Sequence, residues 1–221
     1  MHVSDGFLDA PVIAATAVIS IGILAVVAKK TPATELSSPM AGASAAFVIA
    51  AQMVNFPVAS AVSGHIIGGV LVAILLGWRV SVLVMTAVLV IQAMLFQDGG
   101  VAALGANVLN LGIVGPGLGY LVFLGIQGRV GRAGERSWTC RDSIAAFLGG
   151  WTASIVAALL VAVELWLSGQ AELKSIMLLM LSVHALIGLA EGGATVLIAR
   201  FLTRHQQQCA DCSQVPRGNY S

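Results

Sequence analysis

The sequence predicts an all-α, polytopic membrane protein built as a bundle of about seven transmembrane helices. Three observations predict it. Hydrophobic residues make up 58% of the 221 and charged residues only 10%, whereas a soluble domain is about half apolar and about a quarter charged. The mean hydropathy is +0.94. Seven stretches approach the length of about 20 apolar residues that crosses a hydrocarbon core.

In chain order the spans fall near 11–28, 40–58, 62–77, 80–96, 105–127, 143–168 and 175–202. The second carries AGASA (41–45), a small-residue face suited to close helix packing. The third is about one turn short of a full crossing. Gly64, Gly68 and Gly69 at its start point to packing against neighbouring helices rather than lipid. GPGLG at 115–119 predicts a bend in the fifth span; no strand precedes it, so it is not read as a nucleotide loop.

Lys and Arg set the orientation. With the amino terminus outside, Lys29, Lys30, Arg79, Arg129, Arg132, Arg136, Arg141, Arg200, Arg204 and Arg217 all lie on the cytoplasmic side, and only Lys174 lies outside. The basic loop 128–141 is then cytoplasmic, either as a positive-inside anchor or as a docking surface for a soluble partner. The net charge of +1 is distributed along the chain, which excludes a nucleic-acid-binding face. Three cysteines, two of them in the tail, make no disulfide framework.

In this topology the outer helix ends collect Gln52, Asn55, His65, Gln92, Asp98, Asn107 and Asn110. Intramembrane polar groups usually face a protein interior or cavity. Interhelical hydrogen bonding also accounts for each carboxamide taken singly. In the last span His184 and Glu191 lie seven apart and share a helical face. They read as structural hydrogen-bonding groups or as part of a later transport step. Glu164 is placed within reach of the outer interface. No H-E-x-x-H or other catalytic motif occurs, so no catalytic residue is assigned.

The chain opens MHVSDGF. A terminal amine, the amide nitrogen of residue two and a histidine side chain at that position form adjoining chelate rings. Three nitrogens from one short stretch of backbone favour planar coordination of Cu(II) or Ni(II), with Co(II) in a related geometry. His65, in SGHIIGG, is the candidate for the remaining corner. On spacing alone, an exposed idle side chain also accounts for His2. No basic, cleavable leader is evident before it, and a bulky second residue protects the initiator methionine, so Met1 is expected to remain first.

MHVSDGF, AAQMVNFPVASAVSGHIIGG (50–69), LFQDGGVAALGANVLN (95–110) and HALIGLAEG (184–192) together resemble the CbiM/NikM family. These are the substrate-binding (S) membrane components of energy-coupling factor (ECF) transporters for cobalt and nickel. The resemblance runs from residue 1 to about 203. It implies an amino terminus folded back into the bundle, with metal held by the Met1 amine, His2 and His65. Ser4 departs from the proline or other apolar residue frequent in the family. The ion is Co(II) or Ni(II), carried as substrate, with no resident cofactor.

Asn55, Ser63, Asp98 and Asn107 are candidates to orient the ligands, and Val3 and Phe7 to cover the open faces of a planar site. The resemblance further implies separate ATP-binding cassette ATPase subunits, a transmembrane coupling subunit and a small accessory membrane subunit, in the plasma membrane of a prokaryote. The chain itself carries no G-x-x-x-x-G-K-[ST] loop and is expected to be a transport subunit rather than an enzyme. Two other readings are an S component for an organic micronutrient and a haem-binding electron carrier using His65 and His184. Residues 204–221 form a polar tail, expected to be cytoplasmic and disordered. Its His205, Cys209 and Cys212 also fit a metal-handover site, although one C-x-x-C is a weak zinc pattern.

Overall fold

The computed structural model describes residues 1–59, 62–128 and 138–213, with side chains through 205. Its elements are α1 (Ala10–Lys30), α2 (Ala33–Leu36), α3 (Pro39–Gln52), β1 (Phe56–Ala59), β2 (Val62–Gly64), α4 (Gly69–Leu76), α5 (Trp78–Ile91), α6 (Leu104–Asn107), α7 (Gly115–Gln127), α8 (Cys140–Leu167) and α9 (Leu173–Ser213). Two π-helical segments, Gln92–Phe96 and Val108–Val114, continue α5 and α6. The protein is a helical membrane bundle, as the composition requires.

Two of the long helices, α1 and α8, carry their start signals in the sequence. Asp9 caps α1, its carboxylate accepting from the Val12 N–H, and Pro11 sits in the first turn. Lys29 and Lys30 occupy the last turn, where positive charge suits the helix dipole. α8 opens on a capping box in which Thr139 and Asp142 exchange hydrogen bonds. α9 runs on to Ser213, so its helical backbone continues into the segment expected to be a disordered tail. Cys209 and Cys212 fall beyond the described side chains, as do residues 129–137 of the basic loop.

Among the described residues, five helical segments are long and apolar enough to cross a membrane: Ala10–Lys30, Trp78–Phe96, Leu104–Gln127, Cys140–Leu167 and Leu173–His205. The expected second and third spans differ from the structure. The second stops at Gln52, and the third is reduced to the eight-residue α4. Between them the chain forms an antiparallel β-hairpin, with Phe56 opposite Gly64 and Ala59 opposite Val62. A strand between two greasy helices escaped the apolar-run count because its residues are as apolar as the helices.

The small residues do set the packing. A side chain at Gly69 would strike Pro116, and one at Gly119 would strike the Gly149 carbonyl and Val70. Removing the Cβ lets α4, α7 and α8 approach at backbone distance, where dispersion rather than lipid exclusion drives association. GPGLG, expected to bend the fifth span, forms the regular first turn of α7, directly after the π-helical segment that ends at Val114. Both π segments turn carboxamides inward: Gln92 and Asn110 are fully buried. Gly119→Val is predicted to overpack the α7–α8 contact by about 1–3 kcal/mol, read as a lower thermal midpoint in detergent.

Candidate metal-binding site

The amino terminus is buried: Met1 and Val3 are 0% exposed and His2 2%. Val3 is the anchor. Its N–H donates to Asn107 Oδ1 (2.8 Å), and its carbonyl accepts from Asn107 Nδ2 (3.0 Å) and the Gly100 N–H (2.9 Å). It also forms a β-bridge to Val62, so the terminus lies as a short extra strand against the hairpin. Asp5 completes the attachment by accepting the N–H groups of Val101, Ala102 and Ala103 at 2.8–3.2 Å, ahead of α6. Gly100 leaves room for that carboxylate, which a Cβ there would strike.

His2 and His65 lie side by side, ring centroids 4.5 Å apart and planes tilted by 30°. His65 is 2% exposed and sits in the extended segment between β2 and α4, not at the start of a crossing helix. Its Nδ1 meets the Ile66 carbonyl at 2.8 Å. A carbonyl only accepts, so Nδ1 carries the proton and Nε2 holds a lone pair. His2 Nδ1 meets Asp98 Oδ1 at 3.0 Å. The Nε2 atoms of both rings are buried and have no hydrogen-bond partner. His65, pinned through Nδ1 with its buried Nε2 unpartnered, has the arrangement of a metal ligand.

Charge follows burial. Desolvation pushes the Met1 amine well below its usual range, against the pull of the nearby Asp98 carboxylate. Desolvation likewise lowers the His2 imidazole, opposed by its hydrogen bond to Asp98. Burial alone would raise Asp98, but the His2 hydrogen bond, the positive charge of His2 and the amine, and a hydrogen bond from Asn55 outweigh it, so the carboxyl ends below its ordinary value.

The candidate orienting residues take different places. Asp98 holds His2, and Asn55 Nδ2 donates to Asp98 Oδ2 at 3.1 Å. The His2 backbone N–H points at Ser63 Oγ at a long 3.4 Å. Asn107 grips the Val3 backbone rather than an imidazole. Val3 is buried and Phe7 half-buried against the same core. Gln97, left-handed at φ 54°, turns the loop so that Asp98 and Gly99 lie over His2. It lines a cleft with Ser4, Asp5 and Gly99.

One expectation changes. Glu164 does not reach the interface: it is 6% exposed and accepts from Asn110 Nδ2 at 2.8 Å. His184 and Glu191 are both buried close to the site. His184 donates through Nδ1 to the Met180 carbonyl at 2.8 Å, which leaves its Nε2 bare. It lies near enough to interact electrostatically with the Met1 amine. Asp5 escaped the sequence reading altogether; its one signal was the D-G turn pair.

Among the described residues, no three His, Cys, Asp or Glu side chains form a metal-ligating group. A membrane bundle with a buried amine beside two imidazoles defines the class: a polytopic protein with a nitrogen-rich internal site. The chain belongs to the CbiM family, whose model, described as cobalt uptake substrate-specific transmembrane region, matches residues 2–209.

It is 37% identical over 204 residues to a NikMN-type fused protein of Archaeoglobus fulgidus named for nickel transport, covering 91% of this chain but 65% of that relative. It is 36% identical over 208 residues to a protein of Haloquadratum walsbyi named for metal transport, covering 91% and 89% of the two chains. The cobalt transport protein CbiM of Sorangium cellulosum is 30% identical over 228 residues, covering 98% and 97%. Among solved structures, a transition metal transporter superposes with a TM-score of 0.81 at 25% identity, over 97% of this chain and 100% of the other.

Asn107→Ala should release Val3, at about 1–3 kcal/mol for the buried backbone groups left unpaired. The measurement is the rate at which an acylating reagent modifies the Met1 amine of the folded protein in detergent, which should rise sharply.

Proposed function

We propose that this chain is the substrate-capture membrane component of an ATP-driven ECF uptake system for Co(II) or Ni(II), with the ion held by the Met1 amine, His2 and His65. The observation that carries the reading is a buried amine within electrostatic reach of two buried imidazoles that lie ring against ring. The names borne by the relatives, for nickel, cobalt or metal transport, agree with that donor set. All-nitrogen, tetragonal coordination suits late divalent ions and discriminates against magnesium and calcium.

His65 enters through Nε2, the nitrogen its tautomer leaves bare. In the chelate, His2 binds through Nδ1, because only Nδ1 closes a six-membered ring with its own amide nitrogen. Asp98 occupies that atom in the metal-free chain. Capture therefore exchanges the Asp98 hydrogen bond for a bond to the ion, and the loop 97–101 must loosen as the ion enters. Asn55 is placed to keep hold of Asp98 during the exchange.

In this reading the amino terminus faces outward and the carboxyl terminus the cytoplasm of a prokaryotic cell, as the distribution of Lys and Arg supports. ATP hydrolysis belongs to separate ATPase subunits, reached through a transmembrane coupling subunit and assisted by a small accessory membrane subunit. The chain has no phosphate-binding loop of its own.

The test is an added residue before Met1. With intact mass confirming that Met1 is first in the parent protein, a one-residue extension should abolish stoichiometric Co(II) and Ni(II) binding, measured by calorimetry, while thermal stability is kept. His2→Ala and His65→Ala should do the same. Unchanged binding in all three contradicts the assignment.

A second prediction concerns protons. Burial holds the amine well below its usual range of about 7.7–8.0, so protons compete with the ion less than at an exposed amine. Loading near pH 7 should therefore release fewer protons than loading at an exposed terminus, where amine and amide both give one up. Calorimetry in buffers of different ionisation enthalpy counts them.

A further inference from the structure

Glu191 is 1% exposed, deep in α9, and is neither a proposed ligand nor a hydrogen-bond partner of one's side chain. Both its oxygens accept from backbone: Oε2 from the Ile67 N–H at 2.7 Å and Oε1 from the Gly68 N–H at 2.8 Å. These two amides lead directly into α4, whose N-cap is Gly68 and lacks any capping side chain of its own. A helix start leaves N–H groups without intrahelical partners and favours negative charge. Here a carboxylate from another helix serves that end.

From the opposite side, Gln52 Nε2 donates to the Ile67 carbonyl at 2.7 Å. The peptide groups just beyond His65 are thus fixed on both donor and acceptor sides. The His65 ring takes its bearing from the same stretch, since its Nδ1 bonds the Ile66 carbonyl. Gly68 itself is left-handed at φ +79°, and a Cβ there would press on Val48, so the backbone has little freedom to settle elsewhere once Glu191 holds it.

We infer that Glu191 is a positioning residue for metal capture: by clamping Ile67 and Gly68 to α9 it fixes where His65 presents Nε2. This rests on His65 being a ligand. Glu164, also a buried glutamate on a long helix, bonds a carboxamide on another helix and leaves the His65 segment alone. It supplies the structural comparison.

The experiment measures Ni(II) affinity by calorimetry, and the ligand-field absorption of the bound ion, for Glu191→Ala, Glu191→Gln, Glu164→Gln and His65→Ala in detergent. Removing a partner that orients a ligand typically costs about 10–100-fold in affinity. Glu191→Ala is expected to lose that much and to shift the absorption band. Glu191→Gln, which keeps one accepting oxygen, should fall between it and the parent. Glu164→Gln should stay within about twofold whatever it does to thermal stability.

Wild-type affinity and an unmoved spectrum in the Glu191 variants overturn the inference. Should Glu191→Ala fail to fold, Glu191→Gln alone decides. If His65→Ala binds nickel as the parent does, it is the ligand assignment that fails, and this result is separable from the first.

Discussion

The buried amino terminus is the constraint on which the site depends. An ammonium group taken out of water costs several kcal/mol unless it is paired or loses its proton. This chain brings its first residue to full burial and holds it there through neighbours rather than through the amine itself. Asn107 and Gly100 fix Val3, the hairpin adds a bridge at Val62, and Asp5 ties the turn that follows to the start of α6. Burial holds that amine well below the ordinary range of a chain terminus.

The long helices frame the pocket, while most of its edges come from short or irregular pieces. α7, α8 and α9 pack through glycines at backbone distance and form a stiff wall. The site is made where regular structure stops: the hairpin, the extended segment 65–68 and the 97–101 loop after a π-helical turn. Irregular backbone is tolerated in a membrane protein where protein rather than lipid surrounds it, because every peptide group still finds a partner. Asp5, Asn107, Gln52 and Glu191 are those partners, which explains the concentration of polar side chains in so apolar a chain.

Much of this was legible in the sequence. Hydropathy marks every long helix, and the glycines mark close packing. The pairing of His2 with His65 follows from chelate chemistry and the family resemblance together, and the structure sets the two rings in contact. What was not legible has a common cause. The β-hairpin is hidden because an apolar strand and an apolar helix read alike over a few residues. Asp5, and the partners of Glu164 and Glu191, are hidden because a carboxylate bonded to backbone N–H groups or to a carboxamide leaves no spacing pattern; its partners lie many residues away.

The central claim is that the terminal nitrogen of Met1 binds the ion. It is tested most directly by electron paramagnetic resonance of the protein loaded with Cu(II) as a probe, comparing chains grown with ¹⁵N-methionine and with natural methionine. The account predicts that the label changes the nitrogen hyperfine pattern, because of the methionine nitrogens only that of Met1 lies in the coordination sphere. Identical spectra, with copper bound one to one, would contradict it.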